Sequence, residues 1–200
     1  MGTLGLPSAA LDTHIALDIG CEALSVALAD RLDSVLVVAG FSRLVVDLNR
    51  PPGHPTSIPL TSDGIEIPGN QRLSERKRLR RIEEIFSPYH EAVSTEVQRA
   101  CAQHPKAASI SMHSFTPRMD GQWRPWHAGI LWNRDQRLSQ PLLDSLRRES
   151  GLCIGDNQPY DARAHLGYTV DEYAHINSLA QVMIEVRQDL LESDEGISRW

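Results

Sequence analysis

Hydrophobic positions along this chain fall into two kinds of pattern, helical spacing and short unbroken apolar runs. Leu11, Ile15, Leu24, Leu28 and Leu32 recur at mostly helical intervals behind Ser8, a residue that can cap a helix, so one helix is expected from Ser8 to about Leu32. Residues 34–39 and 43–48 are continuous apolar runs of strand length. Continuous rather than alternating apolarity marks strands covered on both faces. A stretch rich in proline and glycine, 51–72, reads as a long ordered loop or lid. Helical character returns from Leu73 to about Gln103, with Pro88 marking a break near its middle. Strands are expected at 107–113, 127–132 and 182–186. A helix at 138–150 stops at Gly151, loop follows over 156–168, and Thr169 opens a short helix. This alternation predicts an α/β fold with a mixed β-sheet sandwiched between helices.

Composition narrows the classes of function. With 200 residues, 41% of them hydrophobic, the chain suffices for one domain, 1–200, with a full core. A formal net charge of −6 argues against nucleic-acid binding, which favours a basic face. Cys21, Cys101 and Cys153 show no metal-binding spacing and read as reduced thiols of a cytoplasmic protein. No apolar run is long enough for a membrane span, so neither membrane nor nucleic acid is expected as a partner.

Four groups of residues could carry chemistry. Asn49 and Arg50 close the apolar run 43–48, and a guanidinium beside an amide at a strand's carboxyl end suits a carboxylate ligand; a local cap and ion pair with Asp47 is the plainer alternative. His113 ends another apolar strand and suits a metal ligand or a base, or a structural hydrogen bond. Glu185 sits inside the run Val182–Val186, where burial without a partner is expensive and would raise its pKa toward that of a general base; an exposed edge position, or pairing with Arg187, is the alternative. His14 and Asp18, four apart on the expected first helix, share a face and could ligate one metal or simply pair on the surface. The basic run from Glu75 to Arg81 reads as a solvated helix face answered by Glu83 and Glu84, and Trp123, Trp126 and Trp132 as core or lid. Ser114 lacks the setting of a hydrolase nucleophile.

Seven motifs occur in order: SRLVVDLNRP at 42–51, IPGN at 67–70, PYH at 88–90, SMHSFTP at 111–117, GDNQPY at 155–160, GYT at 167–169 and IEVRQDL at 184–190. Together they resemble the N-formylglutamate amidohydrolase family over nearly the whole chain. The resemblance implies a zinc-carboxypeptidase-like (phosphorylase/hydrolase-like) fold and a small-molecule N-acyl amino acid as substrate. It implies removal of the formyl or a similar acyl group from N-formylglutamate, in histidine degradation, with zinc as cofactor. By the same likeness His113 is a zinc ligand, Glu185 the base that activates water, and Asn49 and Arg50 the carboxylate clamp. Arg43, Arg118, Arg134 and Arg187 are candidates for the substrate's second carboxylate. Relatives carry an early strand with a histidine motif, for which this chain, opening at Met1, has no counterpart; its end likewise looks short of a last helix. His14 and Asp18 are then the remaining candidates for further metal ligands, and Tyr173 stands where relatives would have histidine. The alternative function is a non-catalytic carboxylate-binding member that has lost its metal site.

Overall fold

A computed structural model describes residues 2–163, 167–177 and 179–200, with the backbone alone at 171 and 174–177. Helices α1 (Ser8–Leu11) and α2 (Cys21–Leu32) come first, followed by the hairpin strands β1 (Thr61–Ser62) and β2 (Ile65–Glu66). Then come α3 (Pro68–Gln71), α4 (Glu75–Arg81) and α5 (Ser87–Gln103). Strand β3 (Ala108–Phe115) leads into a second hairpin, β4 (Arg118–Met119) and β5 (Gln122–Trp123). The remainder is β6 (Ala128–Leu131), α6 (Ser139–Leu146), β7 (Ile154–Asp156), α7 (Tyr168–Asn177), β8 (Ala180–Arg187) and α8 (Asp194–Arg199). The chain divides into two compact units, one of residues up to 17 with 37–95, the other of 18–36 with 96–200.

The second unit is built on a four-stranded mixed sheet in the order β3–β8–β6–β7. β3 runs parallel to β8, β8 antiparallel to β6, and β6 parallel to β7. Because side chains alternate along a strand, each face is covered by a different set of residues. Ala128, Val186 and Met112 pack with Leu24 of α2 and Ile197 of α8, while Ile130 and Val182 meet Leu143 of α6. Leu131 and Met183, on the opposite face, meet Val170 of α7 and Ala162. The expected mixed sheet between helices is therefore present, and three of its four strands fall where apolar runs placed them. β7 is an addition: three residues that end at Asp156, the first residue of the expected loop 156–168. Residues 164–166 of that expected loop lie outside the described residues.

In the first unit, the run 43–48 is buried but is not a strand. Leu44, Val46 and Leu48 are 0%, 1% and 9% exposed. Their chain turns: Val45 N–H donates to the Ser42 carbonyl, and the Asp47 carboxylate accepts from Asn49 N–H. Carbonyls that a neighbouring strand would otherwise satisfy are taken by side chains instead. Asn70 Nδ2 donates to Leu44 O (2.9 Å), Arg81 Nη1 to Val45 O (2.7 Å), and His90 Nε2 lies 2.9 Å from Leu48 O. Burying these carbonyls without such partners would be costly.

Other expectations change as well. The helix expected over 8–32 is two helices; Gly20, at φ +72°, ends the turn between them, and a Cβ there would run into Leu191. The run 34–39 forms no strand, with Val35 and Val38 exposed. The lid at 51–72 contains a hairpin and α3. The break expected at Pro88 does not occur: α4 passes through a π-helical turn, Ile82–Phe86, into α5 with helical backbone at both joins, and Pro88 is the second residue of α5. Arg81, the last residue of the basic run, is buried rather than solvated and donates to Asn70 Oδ1 at 2.8 Å.

Candidate active site

Four residues stand in one row across the sheet: His113 pairs with Glu185, Glu185 with Gly129, and Gly129 with Gly155. Register partners project from the same face. His113 and Glu185 thus stand side by side near the carboxyl ends of two parallel strands, where open α/β sheets build their sites. Glu185 is 7% exposed. The two glycines leave the rest of that row without side chains, and the backbone of Gln158 occupies the space. A Cβ at Gly129 would collide with the Gln158 carbonyl, and one at Gly155 would lie 2.7 Å from Gln158 Cβ and 3.0 Å from Trp126 Cδ1. The loop 157–160, with its cis Gln158–Pro159 bond, is thereby laid against the sheet next to Glu185. Asn157 anchors it: its Oδ1 accepts from Trp132 N–H at 3.0 Å, and its own N–H donates to Ile130 O.

Asp18 reaches His113 from outside the sheet. Its Oδ2 lies 2.8 Å from His113 Nδ1, and the next carbonyl, Ile19 O, accepts the Ser114 hydroxyl on the sheet's other face at 2.8 Å. Residues 18–19 therefore wrap the edge of β3. A carboxylate on Nδ1 favours the tautomer protonated there, and the chemistry of the ring then falls to Nε2.

Beyond His113–Glu185 comes the register pair Phe115–Arg187 on the same face. Arg187 is almost fully buried and is held on all sides: Nε donates to Asp189 Oδ1 at 2.7 Å, Nη1 approaches the carbonyls of Arg124, Pro125 and Trp126, and Trp123 stacks on its guanidinium at 4.9 Å. It straps the segment 123–126 onto the sheet.

The remaining predicted residues are distributed as follows. His14 and Asp18 do not share a helix face, since neither lies in a helix. His14 Nε2 is 3.2 Å from Asp63 Oδ2, at ion-pair distance but off hydrogen-bond geometry. Asn49 and Arg50 belong to the first unit, in a turn where Arg50 N–H donates to Asp47 O and its Nη1 to Asn49 O at 3.2 Å. Arg43 lies in the same unit, half-buried. Arg118 stacks on the exposed Trp123 at 5.6 Å, and Arg134 is exposed.

Catalytic zinc takes three protein ligands. Among the described residues no three His, Cys, Asp or Glu side chains come together in a way that could hold a metal ion. His113 is one nitrogen donor among them, with its Nδ1 on Asp18. The described residues also contain no helix long and apolar enough to cross a membrane.

One arginine on this face escapes sequence reasoning. Arg124 lies with its Cζ 5.0 Å from the Tyr160 ring and 5.9 Å from that of Phe115, and its Nη1 donates to the Tyr160 hydroxyl at 3.1 Å. Its neighbours in sequence, Trp123 and Trp126, were the available signal: a cation set among aromatics.

The model of the N-formylglutamate amidohydrolase family matches residues 2–192. The crystal structure of gene product Atu2144 from Agrobacterium tumefaciens is similar at 34% identity and a TM-score of 0.91, over 99% of this chain and 78% of that one. That of the N-formylglutamate amidohydrolase from Ralstonia eutropha JMP134 is similar in fold at 21% identity and a TM-score of 0.65, over 100% of this chain and 83% of that one. No curated protein matches the chain.

Proposed function

The chain belongs to the N-formylglutamate amidohydrolase family, a family of amide-hydrolysing enzymes, and on that premise we propose that it removes the formyl group from an N-formyl acidic amino acid, with Glu185 as general base. The observation that carries the reading is the pairing of a buried carboxylate with an oriented imidazole, Glu185 beside His113, at the carboxyl ends of parallel strands. Hydrolysis of a formamide requires water to lose a proton as its oxygen adds to the formyl carbon, and the amine to gain one as the C–N bond breaks. Glu185 accepts the first proton and returns it to the leaving nitrogen. His113, protonated on Nδ1 against Asp18, turns the Nε2 lone pair toward the attacking water and fixes its orientation. Holding the reactants this way makes up a large share of the barrier reduction in such reactions. Asn49 and Arg50 are proposed to hold a carboxylate, Arg50 through its planar fork.

The direct test is formate release from N-formylglutamate by the purified protein, with and without added zinc. Formate formed in step with free glutamate supports the reading; none in either condition rejects it. The second reading, a carboxylate-binding member without turnover, is favoured by the absence of a three-ligand metal set among the described residues. Glutamate bound by a protein that releases no formate would select it.

A further inference from the structure

We infer that Arg124 forms a carboxylate subsite beside Glu185 and reads the acidic side chain of the substrate. This deepens the proposed function and rests on it. Arg124 belongs to the same face as His113 and Glu185: Phe115, over which its guanidinium lies, is two residues along β3 from His113, and the loop that carries Tyr160 lies on the sheet over Gly129 and Gly155.

Three features make this a built site rather than a surface cation. First, the guanidinium is fixed. Its charge lies between the rings of Phe115 and Tyr160, Nη1 is tied to the Tyr160 hydroxyl, and the backbone N–H of Arg124 donates to Pro117 O at 2.9 Å. Fixing the plane in advance reduces the ordering cost of a later ligand. Second, its binding edge is unused. Among the described residues Arg124 has no carboxylate partner, and its Nε and Nη2 donors have no acceptor. These two N–H groups form the fork that grips a carboxylate in a bidentate manner. Third, its neighbour Arg187 is paired with Asp189 and engaged by carbonyls, so of these two arginines Arg124 is the one without a carboxylate among the described residues. In a chain with a net charge of −6, a fixed guanidinium without a carboxylate partner is a place for an anion to complete.

The experiment compares hydrolysis of N-formylglutamate with that of its neutral isostere N-formylglutamine. Wild-type protein should prefer the glutamate substrate in kcat/KM, and Arg124→Met should collapse that preference by about 10- to 100-fold, the worth of one charge-assisted bidentate contact. Arg124→Lys should restore part of it, and Tyr160→Phe, which removes only the hydroxyl holding Nη1, should lower it by a factor of about 2 to 5. A ratio unchanged in Arg124→Met, with both substrates slowed alike, overturns the inference. Calorimetric titration with glutarate and its monoamide separates this from failure of the proposed reaction. If wild-type protein releases no formate but prefers glutarate, and Arg124→Met loses that preference, the reaction fails and the subsite stands. If both proteins bind the two compounds equally, the subsite fails. Should Arg124→Met not fold, Tyr160→Phe and Arg124→Lys carry the same comparison.

Discussion

His113 and Glu185 are register partners on neighbouring parallel strands, so a nitrogen base and a carboxylate stand side by side on one face of the sheet. Proximity of this kind is set by backbone pairing and does not depend on a flexible loop. Glu185→Gln keeps size and burial while removing the proton acceptor. It should lower kcat by about 10²- to 10⁴-fold in the formate assay. Circular dichroism and the melting temperature should stay near wild type. Retained activity would remove Glu185 from the role of base.

Asp18 acts through His113. Asp18→Ala takes the partner from Nδ1 and should lower kcat by about 10- to 100-fold with a smaller change in KM. Asp18→Asn still offers an oxygen to Nδ1–H and should recover part of the loss. If Ala and Asn lower the rate equally, Asp18 does not act by orienting the ring.

The sheet was the legible part of this fold. Residues 128–131 and 182–186 are largely apolar because both faces of β6 and β8 are covered, and that pattern survives in one dimension, whereas Ser109 and Ser111 alternate with Ile110 and Met112 in the half-exposed β3. The run 43–48 is apolar and buried as well, yet it turns, because Asn70, Arg81 and His90 satisfy its carbonyls from 26 or more residues away. No local pattern encodes such partners. The same holds for the site: His113 and Glu185 stood out by position and by cost of burial, whereas Asp18 meets His113 across 95 residues of chain. Periodicity even misassigned Asp18 to a helix face with His14. Arg124 sits in a loop with no motif of its own, and only its two tryptophan neighbours hint at its setting.

Asn70 links the buried turn to the rest of the first unit. It is 0% exposed; Nδ2 donates to Leu44 O and to Pro59 O at 2.7 Å, and Oδ1 accepts from Arg81. Asn70→Ala would leave a buried guanidinium short of an acceptor and two carbonyls without donors. It should destabilise the protein by about 2 to 4 kcal/mol, read by chemical denaturation. Loss of under about 0.5 kcal/mol would show the network to be dispensable.

Gly129 is fixed by close approach. Gly129→Ala places a methyl group where the Gln158 carbonyl now lies. The loop 157–160 must lift from the sheet beside Glu185, at a cost of about 1 to 3 kcal/mol. Activity should fall further than stability alone explains, while Gly40→Ala, whose Cβ would meet nothing within 4 Å, should leave kcat unchanged. Equal kcat in Gly129→Ala and wild type would separate the loop from catalysis.

Acid should weaken the second unit through His127, which precedes β6. Burial comes first in pushing its pKa below the usual histidine value, and the charge of Arg187 adds to the shift. The Cys153 N–H also donates to Nδ1 at 2.8 Å, a bond that needs the ring's lone pair. The folded state therefore binds this proton less readily than the unfolded chain does. Between the depressed folded pKa and the unfolded value near 6.5, unfolding takes up a proton, so stability rises with pH across that window and falls as pH drops through it. His127→Gln cannot take up the proton. Melting temperatures from pH 7.5 down to 5 should decline less steeply for His127→Gln than for wild type, the two curves converging toward the acid end as wild type loses its advantage. Parallel curves over this range would mean that His127 titrates alike in both states.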